Sequence, residues 1–330
     1  MPPVKGVMRS RPEDFFVDEV LGFEPDGDGE HVLLQIEKRN TNTQWLAEQL
    51  ARFAGIPKRD VSYAGMKDRN AVTRQWFSLG LAGAKEPEWD KLGIENIHVL
   101  RHARHRRKLR RGSLQGNRFK LIVRDLQGDL AALAVRLQQV AQQGVPNYFG
   151  EQRFGHEGSN LHQAEAMFQG KRIKDRQKRS LYLSAARSFL FNELLSQRVT
   201  RGDWNQAITG EVLVLAGSNS YFVPETIDTT IRQRLADFDT HPSGCLWGKG
   251  DSPAQGEAAK LEQQLAKLHP LLCHGLEQFN LKQERRALRL PVAELQWELD
   301  NSACVLELRF FLPAGAYATS VLRELVQTDG

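Results

Sequence analysis

Asp68 stands between two cations in the polar stretch Gly65-Met66-Lys67-Asp68-Arg69-Asn70. A carboxylate in such a loop can act as nucleophile or base without any cofactor. Taken alone, Lys-Asp-Arg is also a common surface sequence, and a salt-bridged loop is its default reading. Further along, Gly116-Asn117-Arg118-Phe119 sets an amide and a ring two residues apart. On a strand that spacing puts both on one face, where the amide can read a base edge and the ring can stack on it. On composition alone Phe119 is more often a core residue.

The charge of the chain is unevenly placed. All 330 residues together carry a net +5, yet Arg101 to Lys120 holds nine Lys or Arg, two His and no acid. Self-repulsion on that scale is tolerated where phosphates supply the countercharge, so a nucleic acid is the expected partner, with a disordered or protein-binding arm as the alternative. A second cluster, Lys171, Arg172, Lys174, Arg176, Lys178 and Arg179, lies in the middle of the chain. Two separated patches suit a large folded RNA.

Other chemistries fail on inspection. Gly150 to His156 has Walker-like glycine spacing without the Lys-Ser/Thr that would hold phosphate and magnesium, and Pro253 follows Gly248 and Gly250 where a third dinucleotide-binding glycine belongs. His98, His102 and His105 have helical spacing for a metal but sit among arginines that would repel one. No metal site is expected. Cys245, Cys273 and Cys304 are odd in number and far apart, which points to buried, reduced thiols.

The elements that must position these residues are legible from periodicity. Period-two pattern from Val4 to Lys38, with Val32, Leu34 and Ile36 on one face, predicts strands joined by a hairpin at Asp26-Gly27-Asp28-Gly29. A helix follows, opened by Asn42 or Thr43, striped by Leu46, Leu50 and Phe53, and closed by Gly55 with Pro57 beyond. Strands over 61–64 and 74–79 flank the Asp68 loop. A strand over 118–124 and a helix over 129–143 come next; residues from about 145 to 290 are mostly helical, notably 180–199 and 255–268. Strands over 295–299 and 304–312 and a last helix over 319–327 close the chain.

Composition bounds the class: 41% hydrophobic and 26% charged residues are ordinary for a globular chain, and 330 residues allow two domains or one large one. The longest apolar stretch, Leu181 to Leu195, is interrupted by Arg187, Asn192 and Glu193, which argues against a membrane span. The N-terminus lacks an apolar signal core, so a cytoplasmic location is expected.

Five ordered segments carry a resemblance that covers nearly the whole chain: Arg11-Pro12-Glu13-Asp14-Phe15, residues 64–69, Gly116-Asn117-Arg118-Phe119, residues 145–155 and residues 312–320. Together they resemble the TruD family of tRNA pseudouridine synthases. The resemblance implies an α+β fold, a mixed-sheet pseudouridine synthase domain formed by residues 1–143 and 291–330, interrupted by a helix-rich α/β TRUD domain over 144–290. It also implies isomerisation of uridine to pseudouridine at position thirteen, in the D arm of tRNA. Carried over, Asp68 falls on the catalytic aspartate, Phe15 and Asn117 on substrate-contacting positions, and Phe119 on a nearby aromatic. Tyr317 falls where relatives usually have Phe and Asn70 where His is usual. Tyr317 at a strand-to-helix junction would otherwise read as a capping or core tyrosine; the resemblance makes it a pocket residue.

The expectation is thus a cofactor-free enzyme with Asp68 as nucleophile or base and Phe15, Asn117, Phe119 and Tyr317 around the uracil. Phosphate contacts are expected from Arg9, Lys67, Arg106, Arg107, Lys108, Arg110 and Arg111. The partner is tRNA, with no membrane and no obligate protein partner, and the chain is expected to be a monomer. The rival reading is a catalytically silent tRNA-binding chaperone.

Overall fold

The computed structural model describes residues 2–83, 85–110 and 112–328. The chain opens with β1 (Val4–Met8), β2 (Phe15–Leu21), β3 (His31–Arg39), α1 (Thr43–Phe53), β4 (Val61–Tyr63), β5 (Val72–Gly80), β6 (Ile97–His105), β7 (Leu114–Gly128) and α2 (Leu130–Gln143). Next come β8 (Val145–Pro146), α3 (Ser159–Phe168), α4 (Arg176–Arg201), β9 (Leu213–Leu215), β10 (Tyr221–Phe222), α5 (Thr229–Ala236), β11 (Thr240–Leu246), α6 (Gly256–Leu268), α7 (Pro270–Gln278), β12 (Glu284–Ala287) and β13 (Arg289–Leu290). It closes with β14 (Ala293–Asp300), β15 (Val305–Pro313), α8 (Ala318–Leu325) and β16 (Val326–Thr328). The fold is α+β.

Backbone contacts divide the chain into two compact units, one of residues 1–137, 292–318 and 325–330, the other of residues 138–291 and 319–324. The first unit is built on a ten-stranded mixed sheet ordered β14-β15-β7-β2-β5-β3-β6, with β1 and β4 attached through β7 and β5 and β16 attached through β1. Most neighbours are antiparallel, while β2 and β5 run parallel, as do β1 and β16. The period-two apolar faces of β3 and β5 are covered by α1: Leu46, Ala47, Leu50 and Ala51 pack on Val32, Leu34, Ile36, Phe77 and Leu79. Burial of each such Leu or Ile contributes about 1.5–3 kcal/mol. The helix begins where expected because the Asn42 side chain accepts the backbone N–H groups of Gln44 and Trp45. It ends at Gly55, whose φ of +64° no β-carbon favours.

Three expectations are corrected. The strands on either side of the acidic glycine segment form no hairpin: β5 lies between β2 and β3. The intervening loop is instead drawn to β6, where Asp26 pairs with His105 at 2.8 Å and accepts the Arg106 N–H at 3.0 Å. The last helix stops at Leu325, because Val326, nearly fully buried, starts a strand paired with Val4. Finally, His98, His102 and His105, spaced as on a helix, lie on strand β6, where a bulge at Leu100 leaves His98 and His105 opposite Glu37 and His31 on one face and His102 opposite Leu34 on the other. His105 stacks on Phe23 at 4.7 Å, and no group of metal-ligating side chains occurs among the described residues. Cys245 and Cys273 are buried and free, while Cys304 is only half-buried.

The second unit is organised by α4, whose Asp175 cap accepts the N–H groups of Gln177 and Lys178 and so offsets a first turn rich in cations. Its Ala186, Leu190 and Leu194 pack on Leu261 and Leu265 of α6 and on Leu272 and Leu276 of α7. A four-stranded sheet, β10-β9-β11-β12, completes this unit. No helix among the described residues is long and apolar enough to cross a membrane.

Candidate active site

Asp68 lies in the connection from β4 to β5, with its side chain about half exposed. Arg9, just past the end of β1, donates to Asp68 Oδ2 at 2.8 Å and places its guanidinium carbon 4.3 Å from the Phe15 ring centre. The aspartate is therefore held from outside its own loop. Phe15 is buried and meets Phe119 edge-on, with ring centres 6.4 Å apart; Phe119 in turn stacks on Phe310 at 5.3 Å.

Strand register explains the grouping. On β2 and β7, Phe15 is opposite Leu121, Val17 opposite Phe119 and Glu19 opposite Asn117, so these residues share one face of the sheet. On the other side of β7, Phe310 faces Phe119 and Leu312 faces Asn117. Asn117 is half-buried, and its side-chain oxygen is buried without a protein donor. Tyr317 sits half-buried in the short link from β15 to α8, four residues beyond Pro313, which pairs with Gly116.

Beneath the loop lies an ionic layer. Lys67 Nζ is 2.7 Å from Glu19, whose side chain is fully buried. The other Glu19 oxygen accepts the Trp76 N–H at 2.7 Å, taking the strand amide beyond Asp18 and Arg74, where the parallel ladder of β2 and β5 stops. Burial pushes the Glu19 carboxyl above its ordinary range, and Lys67 pulls it back. Lys38, also fully buried, donates to the Thr41 carbonyl at 2.8 Å. Burial, reinforced by the nearby Lys67 charge and opposed by Glu19 and Asp68, brings it down to about 8. Three cations, Arg9, Lys67 and Lys38, thus surround two carboxylates.

Arg9 and Lys67, expected on phosphates, are paired to Asp68 and Glu19, and Lys67 is only 12% exposed. The basic run is also less free than its composition implied. Arg101 pairs with Glu24, Arg104 with Glu86, Arg118 with Glu294 and Lys120 with Glu307. What stays available is the loop between β6 and β7: Arg106, Arg107, Lys108 and Arg110 are exposed and carry no ion pair among the described residues. The buried Leu109 anchors this loop, its N–H donating to Ser78 Oγ at 2.9 Å. Arg111 lies outside the described residues. A groove of about 340 Å³ on the reverse face of the sheet, with Phe16, Asp18, Arg118, Lys120 and Arg309 in its lining, excludes Asp68. Its cations are compensated by Glu294 and Glu307.

A family model described as tRNA pseudouridine synthase D (TruD) matches residues 1–174 and 166–325. The chain belongs to the TruD family. The tRNA pseudouridine synthase D of Nitrosococcus oceani is 52% identical over 99% of this chain and 92% of its own length. That of Methylococcus capsulatus is 51% identical over 98% and 92%. A crystal structure from Methanosarcina mazei assigned to TruD superposes with a TM-score of 0.76 at 22% identity, covering 98% of this chain and 93% of that one, so the TruD fold is shared. In this TruD chain, sequence reasoning passed over Glu19, Lys38, Thr43 and Gln75. The signal was available for the strand residues: Glu19, Lys38 and Gln75 continue the inward positions of Phe15-Val17, Leu34-Ile36 and Phe77-Leu79, where an apolar residue belongs.

Proposed function

We propose that this protein isomerises uridine to pseudouridine in tRNA, at position thirteen of the D arm, with Asp68 as the essential carboxylate. The observation that carries the reading is the placement of an exposed, Arg9-paired Asp68 beside the Phe15–Phe119 rings in a chain of this family. The reaction breaks the bond from C1′ to N1, turns the freed uracil, and joins C1′ to C5, which loses its proton while N1 gains one. No oxidation state changes, so the chemistry asks for a base or nucleophile near the sugar and a pocket that retains the base. Asp68 supplies the first, engaging the ribose or the uracil during cleavage. Phe15, Phe119 and Tyr317 supply apolar surface, and the unpaired Asn117 oxygen offers an acceptor to an imide N–H of the base. The exposed cations at 106–110 contribute phosphate contacts.

Tritium release from tRNA labelled at uridine C5, measured with parent protein and Asp68→Asn, tests the reading. Product is expected at the D-arm site with the parent, and nearly none with Asp68→Asn at unchanged tRNA affinity. tRNA binding without any product by the parent overturns it in favour of a silent tRNA chaperone.

A further inference from the structure

Thr43 and Gln75 are both fully buried, on α1 and β5, two of the elements whose apolar residues, Leu46 and Leu50 against Phe77 and Leu79, form the core of this unit. Apolar residues of the same size would fill that space, and a buried polar pair is tolerated only when its hydrogen bonds are satisfied. The Thr43 hydroxyl donates to Gln75 Oε1 at 3.0 Å and accepts the Lys67 N–H at 3.3 Å. Gln75 Nε2 donates to the Gly65 carbonyl at 2.7 Å. The pair therefore grips the backbone of the Asp68 loop on both sides of Met66. Thr43 is free for this task because Asn42, not Thr43, caps α1. A third anchor, the Lys67–Glu19 ion pair, acts on the same loop residue whose amide Thr43 holds.

From these hydrogen bonds we infer that Thr43 and Gln75 are positioning residues for catalysis: they fix the loop backbone at Gly65 and Lys67 so that Asp68, one residue on, meets Arg9 and the reacting sugar. The inference rests on the reading of Asp68 as the essential carboxylate. Neither side chain touches substrate. Their effect is transmitted through main-chain placement, where a displacement near 1 Å costs about 100-fold in rate.

The test uses Thr43→Val, which keeps shape and removes the hydroxyl, Gln75→Leu, and the conservative Thr43→Ser, with Asp68→Asn run alongside. Single-turnover rates on labelled tRNA, tRNA affinity, and amide hydrogen exchange over residues 64–71 are measured on the full chain. Thr43→Val and Gln75→Leu are expected to lower kcat about 100-fold with tRNA affinity within twofold. Exchange over 64–71 rises while β3 and β6 keep parent protection, and Thr43→Ser restores most of the rate. Parent-like kcat in Thr43→Val overturns the inference. So does a loss shared by rate, affinity and exchange throughout the sheet, which marks a merely structural pair. Should Gln75→Leu fail to fold, the near-isosteric Thr43→Val decides alone. Full turnover by Asp68→Asn would instead sink the reading of Asp68, and the exchange data would still judge whether the pair anchors the loop.

Discussion

Arg9 donates to Asp68 across 2.8 Å, joining the residue just past β1 to a loop that follows β4. Both side chains are about half exposed, so their pairing contributes at most about 1 kcal/mol to stability. Its value is orientation. Arg9→Ala is expected to lower kcat by about ten- to a hundredfold, the scale of a misplaced reacting group, while the denaturant midpoint stays near that of the parent. A large loss of stability with normal turnover would show that the pair serves the fold instead.

The loop at 106–110 is the sharpest place to test phosphate binding. Replacing Arg106, Arg107 and Lys108 by Ala is expected to weaken tRNA binding and to flatten the log–log salt dependence by roughly 0.7–0.9 for each phosphate no longer neutralised. Arg101 and Arg104, already paired to Glu24 and Glu86, are expected to leave the slope unchanged when replaced. Titrating tRNA affinity against salt for both sets distinguishes them, and equal slopes would shift attention to the cluster around Lys174.

Lys38 makes a pH prediction with a definite sign. Its folded-state value is down at about 8 against the ordinary 10.5, so the folded chain binds fewer protons there than the unfolded chain between those two values. Stability from this group therefore rises with pH across that window, by an amount on the order of 3 kcal/mol. Cys273, pushed up to about 12 by burial, opposes it above pH 9. Urea unfolding of the parent and of Lys38→Met from pH 7.5 to 10.5 separates the two. The difference between the curves is expected to shrink as Lys38 loses its proton in the parent, and a constant difference would contradict the assignment.

Tyr317 is expected to contribute ring surface at the end of β15. Tyr317→Phe should keep most turnover, whereas Tyr317→Leu should lose much more. If Phe is as damaging as Leu in single-turnover rates, the hydroxyl takes part in proton transfer; if both are silent, Tyr317 is outside the pocket.

Local rules made much of this molecule legible. Val32, Leu34 and Ile36 alternate because neighbouring strand residues face opposite ways, and Asn42 begins α1 because its side chain satisfies amides two and three residues ahead. Asp68, Asn117 and Phe119 were recognisable as residue types able to act on a base. Partnership between distant residues was not legible. Arg9 meets Asp68 and Glu19 meets Lys67 across intervening strands, and Thr43 reaches Gly65 only through Gln75 of β5. The acids that compensate much of the basic run, Glu24, Asp26, Glu86, Glu294 and Glu307, come from four other parts of the chain. Strand order decided these matches. Period and capping depend on residues a few positions apart, whereas the insertion of β5 between β2 and β3 is a long-range pairing that no local pattern encodes.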